Sequence, residues 1–260
     1  MPSEAPIGVI DSGAGGLSVL KKIRELMPNE ELIYVADSWF APYGEKPTED
    51  IRRRCFENMG FFDLQHIKAL VLACNTATAA AVKELRALYR IPIIGMEPAI
   101  KPASELTRTG VIGVMATAGT LDSDKYLDLQ SMYTDKVEII TRACPGLVDE
   151  IEKIEPDEGE IIKLVTEYTE EFLDRGGDTL VLGCTHYALI SDIIRDIVGP
   201  NVVLVDTGMA VAKELRRRLL ENDLLSDSLK TGRLGFFTSG NVQDQKALLS
   251  RYWGEEIEED

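Results

Sequence analysis

An internal repeat constrains this chain more than any other feature. Residues 69–76 read ALVLACNT, and residues 179–186 read TLVLGCTH. Each is an apolar run, a small residue and a cysteine, followed by polar groups. Upstream, IGVIDSGAGG at 7–16 is echoed by IGVMATAGT at 112–120. Downstream, IPIIGMEPA at 91–99 is echoed by VVLVDTGMA at 202–210. Strand ends in α/β proteins look alike one at a time, so the weight lies in three elements recurring in the same order. The period is too long for a solenoid. It predicts two similar lobes, each presenting one cysteine at an equivalent strand end.

Short β-branched runs alternate with amphipathic stretches along the chain. Strands are expected at 7–10, 32–36, 69–73, 91–95, 111–115, 137–141, 179–183 and 202–206. Helical patterns lie between them at 17–27, 51–65, 77–89, 159–175 and 188–198. Apolar strands alternating with helices read as parallel sheet covered on both faces. The expected fold class is therefore α/β, with two pseudo-symmetric parallel-sheet lobes and the active site in the cleft between them. Sites in such sheets gather at the carboxyl ends of strands. The first lobe is assigned to 1–97 plus 207–260, with Asp11 and Cys74, and the second to 98–206, with Cys184 and His186. A last helical stretch at 208–220 and the segment to Arg251 are expected to pack back on the first lobe.

Charge narrows the partners. The 260 residues carry 28 Lys+Arg against 44 Asp+Glu, a net charge of −16. Sequence-independent binding to nucleic acid or an anionic membrane needs a basic footprint, which is absent here. A small anionic substrate stays open, because local donors can oppose the global field. The four cysteines, at 55, 74, 144 and 184, form no CxxC pair and read as cytosolic thiols. The N-terminal MPSEAPIGVIDSG lacks the features of a signal peptide. No apolar run reaches the roughly 18 residues of a membrane span. A cytoplasmic protein is expected, and the acidic end GEEIEED reads as a solvated tail.

Cys74 and Cys184 stand where strand gives way to helix. A thiol there meets backbone N–H groups at a positive helix end, which favours thiolate. Asn75 and Thr76 follow the first cysteine, and Thr185 and His186 the second. Histidine can relay a proton for a neighbouring thiol. The other histidine, His66, ends a helical stretch and reads as structural or solvated. A zinc site at Cys184 and His186 lacks further ligands at suitable spacing, so no metal is expected. The turn Asp11-Ser12-Gly13-Ala14-Gly15-Gly16 lets backbone approach a ligand closely. A dinucleotide fold, with Asp37 as ribose acid, is the rival reading. Its GxGxxG spacing fails at Ser18, and Asp11 would repel a pyrophosphate. Pro42-Tyr43-Gly44 supplies backbone donors or a lid. Thr117 and Thr120 place hydroxyls at the second lobe's equivalent turn. Glu152 reads by default as a surface acid. Two similar acid/base groups on opposite sides of one carbon suit 1,1-proton transfer, in which one thiolate takes a proton from one face and the other thiol returns one to the opposite face. No lysine stands at a clear strand end, so pyridoxal phosphate is not indicated and no cofactor is expected.

The ordered set IGVIDSGAGG, APYG, LACNTATA, ATAGT and LGCTHY resembles the bacterial glutamate racemases, of the aspartate/glutamate racemase family, through about residue 210. The resemblance implies a cofactor-independent enzyme interconverting L- and D-glutamate for peptidoglycan synthesis. It implies Cys74 and Cys184 as the acid/bases, Asp11 assisting the first, and Glu152 and His186 assisting the second. It implies substrate contacts from Asp11, Ser12, Pro42, Tyr43, Gly44, Asn75, Thr76, Thr117, Thr120, Thr185 and His186. A homodimer is expected, and a gyrase contact and a cell-wall precursor effector are family partners. A racemase for aspartate or a hydantoin, and a gyrase-binding protein on the same scaffold, are the alternatives. The chain departs from the family pattern at Trp39, Phe40, Asp149 and Ala188, none of them a proposed acid/base.

Overall fold

Among the described residues the β-branched runs form nine strands: β1 (Ile7–Asp11), β2 (Leu32–Ala36), β3 (Ala69–Leu72), β4 (Ile93–Ile94), β5 (Val111–Ala116), β6 (Glu138–Ala143), β7 (Thr179–Leu182), β8 (Val203–Val205) and β9 (Leu234–Thr238). They are connected by helices that include α1 (Leu17–Leu26), α2 (Thr48–Leu64), α3 (Asn75–Leu88), α4 (Ile100–Leu106), α5 (Ala118–Leu121), α6 (Asp124–Ser131), α7 (Leu147–Ile151), α8 (Glu158–Asp174), α9 (Thr185–Leu189), α10 (Ser191–Val198), α11 (Gly208–Glu221) and α12 (Val242–Trp253). This computed structural model describes residues 3–257. Met1 and Pro2 of the N-terminal segment, and 258–260 of the acidic end, lie outside the described residues.

The strands make two sheets, ordered β4-β3-β1-β2-β9 and β6-β5-β7-β8, and every pairing is parallel. Reversed, the second order is β8-β7-β5-β6, which matches β4-β3-β1-β2 strand for strand under the sequence repeat. Register repeats as well. Ile7 faces Ala69 and Leu70 faces Ile93 in one sheet; Ile112 faces Thr179 and Leu180 faces Leu204 in the other. Even a packing detail recurs. A Cβ on Gly8 would lie 2.8 Å from the Phe62 ring, and one on Gly113 would lie 2.7 Å from the Phe172 ring. Each glycine makes room for a phenylalanine from a covering helix, at matching places in β1 and β5.

Side chains alternate between the two faces of each sheet, as strand pleating requires. In the first sheet Ile7, Val9 and Val71 join α1, α11 and α12 in one core, while Ile10, Leu70 and Leu72 join α2 and α3 in another. In the second, Met115, Leu180 and Leu182 face α8 and α10, and Ile112, Val114 and Val181 face α4 and α6.

Three expectations are revised. The helix expected at 188–198 is broken at Ile190 into α9 and α10. The strand expected at 91–95 pairs only over Ile93–Ile94. The strand β9 was not anticipated. It pairs with β2, Leu32 facing Leu234, and carries the C-terminal chain back to the first sheet.

A buried ion pair fastens that return. Lys68, fully buried at the head of β3, lies 2.5 Å from Glu30 Oε2 and also donates to the Ser3 carbonyl. Glu30 Oε1 accepts the Ser226 N–H at 2.9 Å. Breaking such a pair strands a charge without solvent. Lys68→Met is expected to destabilise the protein by about 3–5 kcal/mol in urea titrations, and Lys68→Met/Glu30→Leu to recover most of that loss.

Candidate active site

In each sheet the chain reverses its direction of winding beside the first strand, β1 or β5, and a crevice opens there at the carboxyl ends. Asp11 ends β1, and Cys74 follows β3. Thr117 follows β5, and Cys184 follows β7. Both cysteines are N-caps in extended backbone, of α3 and α9. That places the two thiols at equivalent points, both buried, at 6% and 8% exposure.

The thiols differ in what they meet. Cys74 Sγ accepts the Ala77 N–H at 3.4 Å. Burial, and then the negative Asp11, nevertheless push the Cys74 thiol well up. The expectation that the helix end favours thiolate is thus outweighed here by desolvation. Cys184 Sγ lies 3.8 Å from His186 Nδ1, and His186 Nε2 lies 2.6 Å from Glu152 Oε1. Gly15 N also approaches Nε2, at 3.3 Å. The shorter carboxylate contact assigns the proton to Nε2, so the Gly15 approach is a close polar contact. Burial opposes charge on His186, but its bonds to Cys184 and Glu152 prevail and hold the imidazole well above the usual histidine range. Glu152 is held low despite burial by the bond and charge of His186 and by the Ala14 N–H, 2.6 Å away.

Asp11 is buried and accepts the Gly13 N–H at 2.9 Å and the Thr185 hydroxyl at 3.0 Å. Burial raises its carboxyl to about 6, with His186 and the Gly13 N–H pulling the other way. Tyr34 OH donates to Gly13 O at 2.6 Å and pins the turn. The glycines of this turn serve the opposite lobe. A Cβ on Gly13 would fall 2.1 Å from Glu152 Oε1, and one on Gly15 would fall 2.4 Å from His186 Nδ1 and 2.5 Å from Thr185 Oγ1.

The hydroxyls of Thr76, Thr117 and Thr120 form a triangle with edges of 2.9, 3.0 and 3.1 Å across the two sheets' loops. Asn75 is buried, and among the described residues neither its Oδ1 nor its Nδ2 has a protein partner. Ser12 is buried beside Asp11. Tyr43 sends its hydroxyl away from this group, to Asp37 Oδ2 at 2.5 Å. Gly44 approaches the second lobe, where a Cβ would meet Thr117 at 2.5 Å. Pro42 lines a cavity of about 100 Å³ with Gly44, Thr117, Cys144 and Asp149.

The structure thus brings Asp11, Ser12, Cys74, Asn75, Thr76, Thr117, Thr120, Glu152, Cys184, Thr185 and His186 to one seam. Read along the chain, Glu152 is a surface acid; in the fold it is the partner of His186 within the second lobe and of the Ala14 N–H from the first. Cys55 and Cys144 lie apart from the seam's bonds, and burial pushes both thiols up to about 12. His66 is exposed after α2. Among the departures, Trp39 is exposed, Phe40 lies under the Arg54 guanidinium at 3.8 Å, and Ala188 packs on the second core. Sequence reading passed over Tyr34 and Arg54. Arg54 Nε and Nη2 grip Asp37 at 2.9 and 2.6 Å and hold its carboxyl low despite burial.

The fold is one of two parallel-sheet lobes with thiols at matched strand ends. The family described as Asp/Glu/Hydantoin racemase matches residues 7–215, and the chain belongs to it; it is an amino-acid racemase. A glutamate racemase from Methylococcus capsulatus is 49% identical over 251 residues, 96% of this chain and 93% of that one. The structure of a glutamate racemase isoform from Bacillus anthracis matches with a TM-score of 0.87 at 33% identity, over 98% of this chain and 96% of that one. The Escherichia coli glutamate racemase, solved with L-glutamate and the activator UDP-MurNAc-ala, matches with a TM-score of 0.84 at 29% identity, over 95% of each chain.

The glycine turn can be tested directly. Gly15→Ala is expected to hold the lobes apart and lower kcat/KM about 100-fold, with the far-ultraviolet circular dichroism unchanged. Gly60→Ala, where a Cβ meets nothing within 4 Å, is the neutral control.

Proposed function

We propose that this chain interconverts L- and D-glutamate by two-base 1,1-proton transfer, with Cys74 and Cys184 as the acid/bases. The observation that carries the reading is the equivalent placement of the two thiols, each beside its own proton-handling carboxylate system. The names of the relatives support glutamate as substrate.

In one direction the Asp11 carboxylate takes the Cys74 proton. The resulting thiolate removes the substrate's α-proton, and the Cys184 thiol delivers a proton to the opposite face. His186, charged and backed by Glu152, then restores the Cys184 proton. The reverse reaction exchanges the roles. Burial makes thiolate costly at Cys74, which faces only the negative Asp11, so the ammonium group of the incoming amino acid supplies positive charge on that side. The unpartnered Asn75 amide offers one donor side and one acceptor side to the substrate. The Thr76, Thr117 and Thr185 hydroxyls and the backbone of the 11–16 and 42–44 loops supply further donors. No residue set here is assigned to a cofactor. The D-glutamate formed would serve peptidoglycan synthesis in the cytoplasm. The same reading divides the chain into 1–97 with 207–260 and 98–206, so that the β9–β2 pairing lies within the first lobe.

Cys74→Ser and Cys184→Ser are each expected to lower D-glutamate formation by at least about 100-fold, followed by circular dichroism. Cys55→Ser and Cys144→Ser should leave the rate within twofold, roughly. In deuterated water the product should gain solvent deuterium at Cα. Wild-type rates in both active-site variants would end the two-cysteine reading.

The raised Asp11 carboxyl sets a pH dependence. Below its pKa of about 6 the group is protonated and accepts no proton from Cys74, so activity falls as pH falls through that value. A pH profile of kcat/KM should show this acid limb, and the residual activity of Asp11→Asn should lack it.

A further inference from the structure

Glu152 belongs to the chain that connects the second lobe's α7 and α8, yet an element packed on the first sheet holds it in place. Tyr252 of α12 donates its hydroxyl to the Ile151 carbonyl at 2.9 Å. Its neighbour Arg251 donates to the Ile154 carbonyl at 3.2 Å. The two bonds bracket Glu152 in the chain. Leu248 and Leu249 root the same helix in the first sheet's core, and the half-buried Tyr252 touches the cores of both lobes. Within the second lobe the connection is closed by Glu150 Oε1, which accepts the Asp157 N–H at 2.7 Å. Among the described residues no bond of this kind runs from α12 to Asp11 or Cys74.

We propose that Tyr252 is a positioning residue for the Cys184 half of the reaction, holding Glu152 where Oε1 meets both His186 Nε2 and the Ala14 N–H. The inference rests on the two-cysteine reading above. The Ile151 carbonyl shares one planar peptide unit with the Glu152 Cα, so losing its anchor lets the whole acid drift. A short contact to a charged group is sensitive to such drift. Both thiols serve both directions, and kcat/KM falls alike for the two enantiomers because their equilibrium constant is one; the asymmetry lies in the isotope effect, because each enantiomer surrenders its proton to a different thiol and only one thiol depends on Glu152.

The test is Tyr252→Phe, which removes one oxygen and keeps the ring. Steady-state constants and primary isotope effects are measured with α-deuterated L- and D-glutamate. Cys184→Ser identifies which enantiomer loses its proton to Cys184, as the one whose α-proton no longer exchanges with solvent. The expected result is a fall in kcat of about three- to tenfold. The isotope effect should grow for that enantiomer and not for the other, with the melting temperature within a few degrees of wild type, roughly. Arg251→Gln, an exposed change, is the second variant and should give a weaker asymmetry of the same sense. Wild-type constants in both variants, or a loss with equal isotope effects for the two enantiomers, would overturn the proposal. If wild type itself exchanges no α-proton, the two-cysteine reading falls, and this proposal with it. If wild type exchanges and the variants behave symmetrically, the positioning role alone falls.

Discussion

The contact between Glu152 and His186 is the interaction on which the site depends. Neither group tolerates burial alone, because an isolated charge without water costs several kcal/mol, roughly, even after relaxation. Each is sustained by the other, at 2.6 Å, and Glu152 also by the Ala14 N–H of the opposite lobe. The pair is therefore complete only with the glycine turn packed against it.

The pseudo-symmetry of the backbone is not carried into the electrostatics. Strand order, register and even the Gly8–Phe62 and Gly113–Phe172 contacts repeat. The groups beside the thiols do not. Cys74 faces a carboxylate whose own affinity for protons has been raised. Cys184 faces an imidazole whose positive form is favoured. A proton shared between Cys74 and Asp11 therefore rests on the thiol, whereas His186 sets positive charge beside the other thiol. A symmetric scaffold thus surrounds its two thiols with unlike electrostatic environments.

Much of this was legible in the sequence, and the failures have physical causes. The repeat was readable because buried parallel strands need continuous apolar runs, and 69–72 and 179–182 supply them. β9 was not readable, because LGFFT lies beyond the repeat on a sheet edge where its residues are only partly buried. The break at Ile190 escaped notice because the apolar period continues through it. Glu152 reads as a surface acid along the chain, since its partners His186 and Ala14 lie 34 and 138 residues away. The glycines of 13–16 signalled a close approach but not what approaches. Asn75 was legible as a polar residue after a strand; its lack of a protein partner is visible only in three dimensions.

The return of the chain to β2 orders events during synthesis. Every strand of the second sheet lies between residues 111 and 205, so that sheet can be assembled as soon as this stretch has left the ribosome. The first sheet, although its first four strands emerge earliest, lacks its outer strand until residue 238 is made. Until then β2 presents an open edge, and the helix bearing Tyr252 does not exist. The sheet whose strands are first made is thus the last to be finished, so the cleft is completed only once residue 238 and α12 have followed.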